Sequence, residues 1–119
     1  MTGPAVGDAH SYETVVSADM APPHLEAVVL STPSMIMLME MASLRAVEDS
    51  IGPGMTTVGT HVDVAHRAAA LEGDALSVTS TVTEVDGRRI VFEVKVISDG
   101  RTIGEGRHER FVVPERFGD

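Results

Sequence analysis

Two short stretches of this 119-residue chain hold the side chains best suited to do chemistry. The first, Thr32-Pro33-Ser34-Met35-Ile36-Met37-Leu38-Met39-Glu40, sets a single acid among methionines, leucine and isoleucine. An ionised carboxylate on an apolar helix face is costly unless something compensates it, and proteins keep such groups where they react. The second, Gly59-Thr60-His61-Val62-Asp63-Val64-Ala65-His66, is an extended segment closing on a histidine, the side chain best suited to move protons near neutral pH. A hydroxyl, a carboxylate and an imidazole together suggest a small hydrolytic site.

Each residue also has a plainer reading. Glu40 is equally an exposed helix acid paired with Arg45 or Lys95, and His66 a structural histidine. Thr32 is a good helix N-cap. Gly59 marks either a bulge or a close approach of backbone to a ligand. His61, Asp63 and His66 invite a metal site, but strict alternation puts His61 and Asp63 on one strand face and His66 on the other. Three ligands therefore do not converge, and neither a metal nor a cofactor is expected.

These residues need elements to position them. Ser11–Val16 alternates polar and apolar with Tyr12, Thr14 and Val16 on one side, which predicts a short strand after an entry loop over residues 1–10. Residues 21–24 break regular structure, and Leu25–Leu30 is an apolar segment fit for one helical turn or a lid. Thr32 as N-cap and Pro33 at the first helical position predict one long helix, ended by Gly52-Pro53-Gly54. The period then changes from 3.6 to 2. Thr57–His66 places Val58, Thr60, Val62, Val64 and His66 on one face. Leu76 to Val82, Ile90 to Val96 and Thr102 to Val113 follow, with hairpin turns at Asp86-Gly87 and Asp99-Gly100. One strand, one helix and four antiparallel strands make an α+β chain. A helix apolar nearly all round implies that a curved sheet wraps it, the layout of a hot-dog fold. So small a sheet predicts a dimer joined edge to edge.

Composition narrows the functions. The length suits one domain over residues 1–119. There is no cysteine, hence no disulfide, thiolate site or cysteine nucleophile, which fits a cytoplasmic protein. Met1–His10 has neither a basic nor an apolar signal region, and no apolar run approaches the length of a membrane span. A net charge of −9 argues against nucleic acid and against anionic membranes. Arg67, Arg88, Arg89, Lys95, Arg101, Arg107 and Arg110 all fall in the C-terminal half, as a solvated sheet face or as a basic rim for a phosphorylated ligand.

An ordered set of short motifs goes further. Leu38-Met39-Glu40, Arg45-Ala46, Val58-Gly59-Thr60, Ala65-His66, Val85-Asp86-Gly87-Arg88-Arg89, Ile103-Gly104-Glu105-Gly106 and His108-Glu109-Arg110 resemble the fluoroacetyl-CoA thioesterase type of hot-dog thioesterase, over roughly residues 30–117. The resemblance implies a hot-dog dimer that hydrolyses a short acyl-CoA thioester. By position it assigns the catalytic roles to Thr32, Glu40 and His66, an oxyanion N–H to Gly59 and substrate binding to Arg110. Glu40 would attack the thioester carbonyl or activate water, and His66 would position water or protonate the leaving thiolate. The fluoroacetate-specific member has phenylalanines gating its pocket before the threonine; the segment PPHLEAVVL over residues 22–30 has no aromatic. Thioester hydrolysis is thus the expectation, fluoroacetyl specificity is not. A non-catalytic acyl-CoA-binding module and an enoyl-CoA hydratase are the alternatives.

Overall fold

The computed structural model describes residues 3–116, and the expected change of period falls where the chain leaves its one long helix. Helix α1 runs Thr32–Val47, and its buried residues Met35, Met39, Ala42, Ser43 and Val47 recur at the three- and four-residue steps of one helical face. Strand β1 (Ala9–Val15) precedes it, with a short 3-10 turn, Ala18–Met20, between. Strands β2 (Met55–His66), β3 (Ala75–Asp86), β4 (Arg89–Ser98) and β5 (Arg101–Pro114) follow. All five form one antiparallel sheet in the order β1-β3-β4-β5-β2, so β1 and β2 are its edges.

The helix crosses one face of this sheet, and the core lies between them. Leu76, Val78, Val82, Ile90, Phe92, Val94, Val96 and Ile103 meet the helical methionines there, all with at most 1% exposure. Burying each such side chain contributes roughly 1.5–3 kcal/mol. Polar contacts fix the helix in place. Ser43 and Ser80 share a hydrogen bond of 2.7 Å between their hydroxyls, and Tyr12 Oη donates to the Leu38 carbonyl at 2.8 Å. Gly104 lies opposite His66 in the sheet, and a Cβ there would collide with the Met35 sulfur. At Asp99-Gly100 both residues have positive φ (49° and 74°), the two-residue hairpin that the sequence signals.

Four expectations change. Ser31, not Thr32, is the N-cap: its Oγ accepts from the Ser34 N–H at 3.2 Å, and Thr32 is already helical. Strand β2 does not keep one alternation from end to end, because its register against β5 shifts between Gly59 and His61. Thr60 is the extra residue of a bulge. Val62, Val64 and His66 face the helix as expected, but beyond the bulge the inward positions are Thr57 and Gly59, not Val58 and Thr60. Leu25–Leu30 forms no helical turn; Val29 bridges Leu71, and Leu30 N–H donates to the Ala70 carbonyl. Of the expected entry loop, Met1 and Thr2 lie outside the described residues, and Ala9 and His10 already belong to β1.

The outward face of the sheet draws three of the C-terminal basic side chains into ion pairs. Arg89 bonds Glu84 and Glu109 at 2.8 and 2.7 Å, Arg67 bonds Glu105 at 2.8 Å, and Lys95 approaches Glu105 to 4.0 Å. Three acids and three bases line the 460 Å³ cleft on this face, so it offers an anion no net attraction. Arg110 is different: it points inward and is 6% exposed. Among the described residues no helix is long and apolar enough to cross a membrane.

Candidate active site

The expected residues assemble into two groups, one at each end of the same helix–strand contact. Thr32 opens α1 and His66 closes β2, and Thr32 Oγ1 lies 2.8 Å from His66 Nδ1. Because Ser31 takes the capping role, the Thr32 hydroxyl is free for this contact. The pair borders a cavity of about 390 Å³ whose other lining is Val29, Leu30, Arg67, Ala68 and Ala69. The apolar segment before the helix therefore forms part of a pocket wall, with no aromatic in it.

Two helical turns on, Glu40 is half-buried and reaches the other end of β2. Its Oε1 accepts from Arg110 Nη1 at 3.1 Å. The backbone of Gly59 runs directly beneath: a Cβ there would stand 2.7 Å from Glu40 Oε1, 3.1 Å from His108 Cε1 and 3.4 Å from Arg110 Nη1. Gly59 is thus the residue that lets a carboxylate, an imidazole and a guanidinium share one small volume. Neither Arg45 nor Lys95 pairs with Glu40; the partner lies seventy residues away and came next to it through β5.

Arg110 is held on three sides. Its Nε donates to Thr57 Oγ1 at 2.7 Å and its Nη2 to the Thr57 carbonyl at 2.8 Å, while Nη1 serves Glu40 and His108 Nε2, the latter at 3.2 Å. Burial pushes the guanidinium below arginine's ordinary range, and Glu40 draws it back up. His108, 1% exposed, donates from Nδ1 to the His61 carbonyl at 2.8 Å and stacks 6.1 Å from the Phe92 ring. Burial, with Arg110 adding to it, holds its pKa below the usual histidine value; the His61 carbonyl, Glu40 and Glu109 act the other way. Sequence reasoning passed over His108 as a site residue. The available signal was its spacing, since residues two apart on a strand share a face, so His108 must accompany Arg110.

No hydrogen bond or ion pair joins Glu40 to His66 within one copy of the chain. Eight helical residues separate Thr32 from Glu40, about 12 Å along the axis. His61 and Asp63 point outward and His66 inward, the parity that keeps three metal ligands apart.

With this geometry in view, the comparisons are direct. A family model described as fluoroacetyl-CoA-specific thioesterase matches residues 12–116. The chain is 38% identical to the fluoroacetyl-CoA thioesterase of Streptantibioticus cattleyicolor over 85 residues, which are 71% of this chain and 61% of that enzyme. The matched stretch thus spans less than two thirds of the relative's length. A point mutant of a fluoroacetyl-CoA-specific thioesterase, solved with fluoroacetate and CoA, superposes with a TM-score of 0.87 at 32% identity, covering 93% of this chain and 96% of that one. A hot-dog-like protein from Thermanaerovibrio acidaminovorans superposes with a TM-score of 0.85 at 26% identity, covering 92% and 84%. The helix wrapped by a five-stranded antiparallel sheet is a hot-dog fold.

Proposed function

We propose, for a chain that belongs to the fluoroacetyl-CoA-specific thioesterase family, that it hydrolyses short or medium acyl-CoA thioesters in the cytoplasm, working as a homodimer. Thr32, Glu40 and His66 are the catalytic residues, and Gly59 and Arg110 bind substrate. The observation that carries this is Glu40: the one acid of an apolar helix is held over bare Gly59 backbone by a buried arginine. A carboxylate anchored through one oxygen leaves the other to react.

The reaction balances as follows. Glu40, or a water it deprotonates, adds to the thioester carbonyl; the C–S bond breaks and the CoA sulfur takes a proton from His66. If Glu40 itself adds, water then cleaves the acyl anhydride and regenerates the carboxylate; by either route the proton released from water returns to His66. In the imidazolium, His66 Nδ1–H donates to Thr32 Oγ1 and Nε2 carries the proton that is delivered, which leaves the ring neutral. The Gly59 N–H is suited to the developing oxyanion.

The homodimer follows from the two separated groups. The β2 bulge turns both Gly59 and His66 toward the helix although seven positions separate them, an odd interval that alternation alone would split between faces. Strand β2 is a sheet edge with exposed residues from Gly59 to Asp63, including Val62 at 40% exposure, and Met37 on the adjoining helix is 58% exposed. Two copies pairing antiparallel near the middle of β2 cover this open edge and Val62 with it. They also lay the His66 end of one strand beside the Gly59 end of the other. His66 of the partner subunit then stands with Glu40, and each dimer carries two complete sites.

The aliphatic wall at Val29 and Leu30 favours a plain acyl chain over fluoroacetyl. The test is thiol release from a panel of saturated acyl-CoAs plus fluoroacetyl-CoA, with wild type beside Glu40→Gln. Hydrolysis lost in the mutant supports the assignment. Binding of the same thioesters without release points to an acyl-CoA-binding module, and hydration of crotonyl-CoA to a hydratase.

A further inference from the structure

His108 is the most deeply buried titratable side chain near the proposed site, and the chemistry above gives it no task. It touches no space open to substrate, so it cannot act on the thioester itself. Its two ring nitrogens are nevertheless both committed. The His61 carbonyl can only accept, so Nδ1 carries the proton. Nε2 is then bare and accepts from Arg110 Nη1, the same nitrogen that serves Glu40 Oε1.

We propose that His108 is a positioning residue: it ties the bulge of β2 to Arg110 and, through Arg110, fixes the orientation of the Glu40 carboxylate. The proposal rests on Glu40 being the reacting acid. The chain of contacts runs from the His61 carbonyl through the imidazole to Nη1 and on to Oε1. Thr57 grips the far side of the guanidinium by Nε and Nη2, and His108 is the neutral acceptor that holds it on the Nη1 side, next to Glu40. The bulge that sets the place of Gly59 and the arginine that sets the place of Glu40 are thereby held in one frame, and an imidazole in one tautomer is the link.

Only neutral His108 can do this. A proton on Nε2 would set N–H against N–H and one cation against another at Arg110. The charged groups that act on the ring are Arg110 and, from the outward face, Glu109 of β5, with Glu40 from α1; the His61 carbonyl of β2 and uncharged Phe92 of β4 touch it directly. Burial favours the neutral form, so the link holds at neutral pH and opens as acid is added.

Two substitutions separate positioning from packing. His108→Phe keeps a ring against Phe92 but removes both hydrogen bonds. His108→Gln restores an acceptor for Nη1 and cannot titrate. In the full chain, kcat and KM for acyl-CoA hydrolysis are measured between about pH 5 and 8, alongside the NMR signal of the Arg110 Nε–H. For His108→Phe, kcat should fall by up to about 100-fold, the scale of a misplaced reacting group, with KM little changed and the Arg110 signal broadened. His108→Gln should recover most of kcat and the Arg110 signal and lose the histidine step from its acid limb. Wild-type kcat and a sharp Arg110 signal in the phenylalanine variant would overturn the role, as would a glutamine variant that recovers neither. If the phenylalanine variant does not fold, the glutamine variant's acid limb decides: an unchanged limb refutes the link. Wild type inert on every acyl-CoA would refute the activity, and the Arg110 signal would then decide the role of His108 by itself.

Discussion

Glu40 and Gly59 sit so close that no methyl group fits between them: a Cβ on Gly59 would lie 2.7 Å from Glu40 Oε1. Gly59 has no positive φ, so its requirement is one of space and not of backbone conformation. Gly59→Ala should therefore leave the fold intact, the recovered glycine entropy of about 0.5–1 kcal/mol offsetting the crowding of the Glu40 carboxylate and the His108 ring. Activity should nevertheless fall by up to about 100-fold as the carboxylate is displaced. Thermal melts and thiol release on the same preparation check both halves. Wild-type turnover in the alanine variant would mean that Glu40 is not the reacting acid.

Glu40→Gln should abolish turnover and leave circular dichroism unchanged. The amide keeps the shape and can still accept from Arg110, but it offers neither a nucleophilic oxygen nor a base. Retained activity in a well-folded mutant would remove Glu40 from the mechanism.

Ser31 and Thr32 are neighbours with opposite duties, and two substitutions part them. Ser31→Ala removes the cap of α1 and should cost about 1 kcal/mol of stability with most activity kept. Thr32→Val removes the hydroxyl at His66 and should do the reverse: kcat falls while the melting temperature scarcely moves.

Stability should fall with acid in a defined window. The pKa of His108 is lowered in the folded chain, so the unfolded chain takes up a proton first as pH drops. The stability is fully present above the ordinary histidine value of about 6.5 and is lost as pH falls from there through the folded pKa. Glu109 is also lowered, mainly by its bond to Arg89, but its share is present above about 4.5 and lost only below that. Melting temperatures of wild type and His108→Gln, compared across this range, should converge as pH falls. A constant difference would exclude His108 as the titrating group.

The exposed edge of β2 should hold the dimer together. Val62→Lys places a charge on an apolar edge position, the device by which natural sheets prevent pairing. Light scattering should report a monomer, and turnover should disappear with the dimer. A fully active monomer would show that each copy contains a complete site.

Much of this was legible in the chain itself. The turn pair Asp99-Gly100 and the two-residue period of the strands are local signals, because turn geometry and face alternation depend on adjacent residues. Two local readings were displaced: the β3–β4 turn falls on Gly87-Arg88, since Asp86 still pairs with Arg89, and α1 ends at Val47, five residues before Gly52. Glu40 stood out for a local reason as well: it is an acid surrounded by methionines. The contacts that define its environment are not local. Arg110 and His108 reach it from β5, and nothing in the helix encodes which basic residue of the C-terminal half will turn inward. The bulge was equally hidden. Gly59 admitted a bulge as one of two readings, but only the pairing of β2 with β5 decides that Thr60 is skipped and that Thr57 and Gly59 join His66 on the helix side. Sequence periodicity determined the elements, since each depends on a few neighbouring residues; the site was decided by strand register, a property of two strands that neither holds alone.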